Sequence, residues 1–68
     1  MKKKCYRDPY GCTASIKLGI NRDGYILCMY NPYGTCFHKD KYDTYHGARI
    51  ALGKLSGGMM ELTGEEAD

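Results

Sequence analysis

A four-residue turn pattern occurs three times in this 68-residue chain and restricts its fold more than any other feature. The copies are Asp8-Pro9-Tyr10-Gly11, Asn21-Arg22-Asp23-Gly24 and Asn31-Pro32-Tyr33-Gly34. The Asp or Asn side chain can accept backbone hydrogen bonds, and proline at the second position fixes φ at about −65°. Glycine at the fourth position adopts positive φ without steric cost. Each copy therefore predicts a tight hairpin between antiparallel strands.

Segments rich in β-branched and aromatic residues flank the turns and predict four strands, at 3–7, 12–20, 25–30 and 35–38. A helix is predicted after them, with Asp40 as its N-cap, an end near Leu55 and Gly57 as the stop. We therefore predict an α+β fold in which a four-stranded antiparallel meander packs on one C-terminal helix. This domain is predicted to cover residues 1–58. Residues 59–68 lack periodicity and are predicted to form an acidic mobile tail.

The turns also predict a register, because the first residue of such a turn pairs with the residue after its glycine. Ile16 then lies opposite Tyr30, and Cys28 lies opposite His38. The face toward the helix is predicted to hold Tyr6, Ala14, Ile16, Leu18, Ile20, Ile26, Cys28, Tyr30, Cys36 and His38. The opposite face would carry Arg7, Thr13, Ser15, Lys17, Gly19, Tyr25, Leu27, Met29 and Phe37. That second face is more apolar than a solvated surface requires.

The predicted helix has two stripes. One is predicted to cover the sheet and contains Thr44, Ala48, Ala51, Leu52 and Leu55, with Gly47 beside it allowing a close approach. The other stripe and the second sheet face give the predicted protein-binding residues: Tyr25, Leu27, Met29, Phe37, Tyr42, His46, Arg49 and Ile50. Because a small monomer would leave Leu27, Met29 and Phe37 in water, a homodimer is also predicted.

Charge is distributed unevenly along the chain. Residues 1–60 hold ten Lys or Arg and four Asp, a net charge of +6, whereas residues 61–68 hold four acids and no base, −4. A basic body makes an anionic partner an alternative. No apolar run reaches the length of about 18 residues that a membrane span needs, and none is typical of a signal peptide. We therefore predict a cytoplasmic protein without a membrane partner, with its four cysteines as thiols.

Metal binding and catalysis are both predicted to be absent. Only Cys28, Cys36 and His38 are predicted neighbours among the metal-ligating residues, and no Cys-x2-Cys spacing occurs. A thiol nucleophile needs a base and an orienting group beside a substrate, and the predicted core face offers none. The four Asp of the body are assigned to turns and the helix start. No cofactor is predicted.

One segment carries a resemblance to proteins of known origin. Gly34-x-Cys36-x3-Asp40-x-Tyr42-Asp43-x3-Gly47-x2-Ile50-Ala51 resembles a pattern in short proteins of bacteriophages and prophages. Phage proteins of this size commonly bind host complexes, including CRISPR defence nucleases. The resemblance implies a non-enzymatic inhibitor that binds and blocks a host protein complex, an anti-defence or anti-CRISPR role, in the cytoplasm of a bacterial host.

A second resemblance supplies the alternative. Tyr6-Arg7-Asp8-Pro9-Tyr10-Gly11 resembles the Tyr-Arg-x-Asp-Pro-x-Gly hairpin of integrase arm-binding domains, and the sheet-plus-helix plan resembles AP2-type domains. Both lay the sheet into the DNA major groove. The implied nucleic-acid-binding residues are Lys2, Lys3, Lys4, Arg7 and Lys17. On the predicted register, however, Leu27, Met29 and Phe37 stand where base-reading polar side chains belong, which favours a protein partner.

Overall fold

The structure is a computed structural model and describes residues 3–19 and 23–66. In these residues the elements are β1 (Lys3–Arg7), β2 (Thr13–Leu18), β3 (Tyr25–Tyr30), β4 (Cys36–Tyr42), α1 (Tyr45–Ser56) and β5 (Glu61–Glu66). The strands form one antiparallel sheet in the order β4-β3-β2-β1-β5. The predicted α+β meander with one helix after it is confirmed, and a fifth strand is added at its edge.

The first and third predicted turns are confirmed. Asp8 Oδ1 accepts hydrogen bonds from the backbone N–H groups of Tyr10 and Cys12, both at 2.9 Å, and Gly11 has a φ of 93°. The third turn repeats this arrangement around the side chain of Asn31. The Asx side chain therefore accepts hydrogen bonds from backbone N–H groups that have no cross-strand partner where the chain reverses.

The second turn begins earlier than predicted, and this reverses the face of β3. Asn21 and Arg22 lie outside the described residues, but Leu18 pairs with Tyr25, where the prediction paired Asn21 with Tyr25. The register thus differs by three residues. Because an odd difference exchanges the two faces of a strand, Leu27 and Met29 face the helix. The residues on the other face of β3 are Ile26, Cys28 and Tyr30.

A β-bulge at Phe37 shifts the register again in β4. Tyr30 pairs with Cys36, but Met29 pairs with His38, which leaves Phe37 as the extra residue. His38 therefore lies on the helix side, as predicted, whereas the predicted pairing of Cys28 with His38 is wrong. Cys28 lies opposite Lys39.

The core lies between one sheet face and α1. Its buried residues are Tyr6, Ala14, Ile16, Leu27, Met29, Ala48, Leu52 and Met60. Five of these were predicted, from β1, β2 and the helix stripe, because register errors in β3 do not affect them. The predicted placement of Ile26, Cys28, Tyr30 and Cys36 on the helix side is wrong, since these residues face away from the helix. Cys28 is nevertheless buried, with 4 % of its surface exposed. Predicted core residue Ile20 lies outside the described residues, and Leu55 is exposed.

The helix starts four residues later than predicted. Thr44 is the N-cap, and its Oγ1 accepts a hydrogen bond from the backbone N–H of Gly47 at 2.9 Å. A Cβ on Gly47 would lie 3.2 Å from this oxygen and within 4 Å of no sheet atom, so the glycine accommodates the cap and not a close helix–sheet approach. The predicted stop is confirmed, since Gly57 has a φ of 66° and its N–H donates to Gly53 O.

The prediction of a mobile tail from Met59 onward is wrong for the described residues. β5 pairs with β1, and the residue before it, Met60, is only 3 % exposed in the core. The Arg49 guanidinium also donates to Met60 O at 3.5 Å. The register places Glu61 opposite Arg7 and Glu65 opposite Lys4. The acidic composition that indicated a tail therefore complements the basic first strand.

Candidate functional site

The sheet face opposite α1 is covered by no other element of the described chain, and we call it the open face. Its residues follow from the alternation of each strand about the buried positions. They are Lys3, Cys5 and Arg7 on β1, Thr13, Ser15 and Lys17 on β2, Ile26, Cys28 and Tyr30 on β3, and Cys36, Lys39 and Lys41 on β4. Five are cations, so this surface is polar and basic, unlike the apolar one predicted.

Cross-strand pairing arranges these side chains in rows. The row nearest the first and third turns consists of Arg7, Thr13, Tyr30 and Cys36. The middle row consists of Cys5, Ser15, Cys28 and Lys39, and the last paired row of Lys17, Ile26 and Lys41. Cations therefore stand along β1 and along β4, while the strands between them carry mostly small or uncharged side chains.

Three acids of the described chain lie beside these cations. Lys41 Nζ is 2.6 Å from Asp23 Oδ2, and both side chains are largely exposed, so the pair is worth little to stability. The β1–β5 register places Glu61 opposite Arg7 and Glu66 opposite Lys3. All three acids are at the margins of the sheet, so the positive charge is least balanced at Lys17 on β2 and Lys39 on β4.

A shallow trough crosses the open face beside β1. Its volume is about 460 Å³, and its lining includes Lys3, Cys5, Arg7, Thr13, Ser15, Tyr30 and Thr63. The Cys28 thiol and partial burial raise the pKa of Tyr30, so its phenol is neutral at physiological pH. The trough thus combines cations at its margin with neutral hydroxyl and thiol groups on its floor.

The predicted binding residues on β3 are not on this surface. Leu27 and Met29 are buried, and the Tyr25 ring packs on the core with its edge toward Tyr45. The cause is the register difference at the second turn. The homodimer was predicted from solvent exposure of Leu27, Met29 and Phe37, and two of these three side chains are buried. Only Phe37, at the bulge, is exposed, at 57 %.

Only part of the predicted binding stripe of the helix is exposed. Tyr42 belongs to β4 and packs against the core. The Arg49 guanidinium lies over the Tyr6 ring, 5.2 Å from its centroid. His46 and Ile50 are exposed on α1, as predicted, but they form no continuous surface with Tyr42.

Three of the five predicted nucleic-acid-binding residues lie on the open face. Arg7 and Lys17 lie on the open face with Lys3, whereas Lys4 is on the helix side, 4.5 Å from the Tyr45 ring centroid. Lys2 lies outside the described residues. The sequence analysis missed Lys39 and Lys41. No apolar alternation in His38-Lys39-Asp40-Lys41-Tyr42 indicates a strand, so this segment was assigned to a helix start.

The register also separates the predicted neighbours among the metal-ligating residues. Cys28 and Cys36 lie on the open face, and His38 lies on the helix side, where its buried Nε2 has no hydrogen-bond partner among the described residues. The part of the chain that the structure describes holds no cluster of three or more His, Cys, Asp or Glu that could bind a metal ion.

Two further observations concern the whole chain. Of the described residues, none forms a helix with the length and apolar character needed to cross a membrane. Compared with protein-family models, curated proteins and solved structures, the chain shows no match. The geometry of the open face is therefore the basis on which a function can be argued.

Proposed function

We propose that this protein binds nucleic acid through the open face of its sheet. The observation that carries the proposal is the arrangement of five cations: Lys3 and Arg7 on β1, Lys17 on β2, and Lys39 and Lys41 on β4. Neutralising phosphates with Lys and Arg releases condensed counterions and supplies most of the sequence-independent affinity for nucleic acid. A basic sheet surface backed by a packed core is suited to that purpose.

The register of β3 supports this proposal over a protein partner. The apolar residues Leu27 and Met29, which would interrupt a phosphate-binding surface, are in the core. Thr13, Ser15 and Tyr30 occupy the middle of the surface in their place and offer hydroxyl groups. The first hairpin also resembles that of integrase arm-binding domains, which bind DNA through a sheet.

The test compares two lysines of equal charge on opposite sides of the protein. Lys39→Gln removes a cation from the open face, and Lys54→Gln removes one from the last turn of α1. Binding of an oligonucleotide is measured by fluorescence anisotropy between about 50 and 200 mM salt. We expect Lys39→Gln to lower the affinity several-fold and the salt slope by about 1, and Lys54→Gln to leave both unchanged. Equal effects of the two substitutions, or no binding at the lowest salt, would contradict the proposal.

A protein-blocking role is the second candidate, and exposed apolar residues at the β4 bulge and on α1 favour it. Phe37 and Ile50 are 57 % and 46 % exposed, and His46 lies near Ile50 on α1. These residues suit the predicted phage-type inhibitor of a host protein complex, with or without a homodimer. Affinity capture from bacterial lysate with and without nuclease distinguishes the candidates, since a protein blocker retains its partner after nuclease. Light scattering at high concentration tests the homodimer.

A further inference from the structure

The middle row of the open face is lower than the rows beside it. Ser15 and Cys28 at its centre are short and buried, whereas the neighbouring positions on β2 and β3 carry the longer side chains of Lys17, Ile26 and Tyr30. Three strand spacings, about 14 Å, separate the cations on β1 from those on β4. The trough beside β1 has a volume of about 460 Å³ and extends from Lys3 and Arg7 to Tyr30.

This arrangement suits a single sugar–phosphate backbone. Such a backbone can lie along the trough and the low middle row with its phosphates toward Arg7 on β1 and Lys39 on β4. A single strand keeps its bases unpaired, so they remain available to stack on aromatic side chains.

Two exposed tyrosines stand at one end of the sheet. Tyr10 and Tyr33 occupy the same position in the first and third turns and are 70 % and 94 % exposed. The turns lie side by side, since a Cβ on Gly11 would be 3.5 Å from Pro32 Cβ. Proline and the Asx side chain hold each turn, so the backbone that carries each ring is preorganised at little entropic cost on binding.

The turns that carry these two tyrosines adjoin the row of the open face that borders the trough. Arg7 and Tyr30, which line it, belong to the row of the open face nearest these two turns. An unpaired base leaving the trough at this end reaches an aromatic ring, whereas the bases of a duplex are already stacked on each other. Base–aromatic stacking beside a basic groove is the usual basis of single-strand binding without sequence preference.

We infer that the nucleic acid bound by the open face is single-stranded, with its backbone along the trough and the middle row and its bases stacked on Tyr10 and Tyr33. This inference rests on the proposed function and specifies its ligand. It predicts little preference for base sequence, because the described open face lacks Asn and Gln for bidentate contact with a base edge. DNA and RNA share the chemistry involved, and the experiment separates them.

The experiment measures affinity for oligothymidylate of about 16 nucleotides, the upper site size of single-strand-binding folds, and for the same strand annealed to oligoadenylate. Oligouridylate of equal length provides the RNA arm. Three proteins are compared at one salt concentration: the unmodified chain, Tyr10→Ala/Tyr33→Ala, and the matched control Tyr10→Phe/Tyr33→Phe, which keeps both rings. Circular dichroism checks that the exposed substitutions leave the fold intact.

We expect one of the single strands to bind at least about tenfold more tightly than the duplex. The alanine variant should lose about tenfold or more of this affinity while its duplex binding stays unchanged, and the phenylalanine variant should retain it. Duplex binding equal to or tighter than single-strand binding, or an alanine variant equal to the unmodified chain, overturns the inference while the proposed function stands. Absence of binding to every probe overturns both.

Discussion

The hydroxyl groups of Tyr6 and Tyr45 hydrogen-bond to each other between β1 and α1. Arg49 lies over the first ring and Lys4 over the second, so two cations cover this polar pair. Burial, together with the Tyr45 hydrogen bond, raises the pKa of Tyr6 well above its usual value. The protonated phenol is therefore part of the folded structure, and its ionisation opposes folding.

This pKa shift predicts an alkaline loss of stability. Above pH 10, Tyr6 ionises in the unfolded chain but stays protonated in the folded one, so the unfolded state binds fewer protons and stability falls as pH rises. Below pH 10 the contribution is fully present. We expect urea denaturation to show a steeper decrease above pH 10 for the unmodified chain than for Tyr6→Phe. Parallel pH profiles of the two proteins would contradict this expectation. Tyr30 also has a raised pKa, but it is present in both proteins, so its effect on stability cancels in the comparison.

The N-cap gives a second prediction for single residues. Thr44 caps α1, whereas the carboxylate of Asp40 accepts a hydrogen bond only from the next backbone N–H, that of Lys41. Thr44→Ala should lower the free energy of unfolding by about 1 kcal/mol, as loss of an N-cap does. The matched control Asp40→Ala should change it by less than about 0.5 kcal/mol, because the side chain is exposed. Denaturant unfolding measures both, and the reverse order would favour a helix that begins at Asp40.

For the elements, β5 shows how an unpatterned segment acquires a structure. Residues 59–66 have no alternation of their own, but Met60 fills the core beside Ala48 and Leu52, and the strand after it completes the edge of β1. A chain of this size has a thin stability margin. One buried methionine and a row of backbone hydrogen bonds are therefore large contributions.

Neighbouring methionines test this role of β5. Met60 is 3 % exposed and Met59 is 45 % exposed, so only one of two identical substitutions removes core volume. Met60→Ala should cost about 2–5 kcal/mol, enough to unfold much of a protein of this size. Met59→Ala should change stability by less than about 0.5 kcal/mol. Thermal unfolding followed by circular dichroism gives both values, and equal melting temperatures would show that the segment is not part of the core.

For the whole molecule, the register of β3 decides which surface is core and which is available for binding. Ile26 and Leu27 are adjacent, and the sequence analysis placed Ile26 under the helix and Leu27 in solvent. The structure reverses them, with Leu27 fully buried and Ile26 half-buried on the open face. Every proposal about the open face depends on this reversal.

Matched lysine substitutions separate the two registers. Leu27→Lys buries an unpaired charge in the core and should leave the chain unfolded, whereas Ile26→Lys adds a cation to a solvated surface. We expect the Ile26→Lys protein to keep its fold and to bind nucleic acid several-fold more tightly, because the open face gains a phosphate contact. Circular dichroism and anisotropy are the measurements. A folded Leu27→Lys protein with an unfolded Ile26→Lys protein would support the register predicted from the turns.

Only part of the candidate site could be predicted from the sequence. Arg7 and Lys17 were identified because β1 and β2 are joined by a turn whose geometry is local. Lys39 and Lys41 were missed because Asp40 and Asp43 resemble a helix start, and nothing within that segment shows that β4 continues to Tyr42. Pairing with β3 extends the strand.

The sequence by itself determined the two Asx-Pro-Tyr-Gly turns, the glycine stop of the helix and the sheet-plus-helix plan. In each case one side chain, or a positive φ at one residue, decides the local backbone. Only the tertiary structure decided the face of β3, the start of α1 and the pairing of β5. A strand can be paired in several registers that differ little in local energy, and burial of Leu27, Met29 and Met60 together against α1 selects one of them.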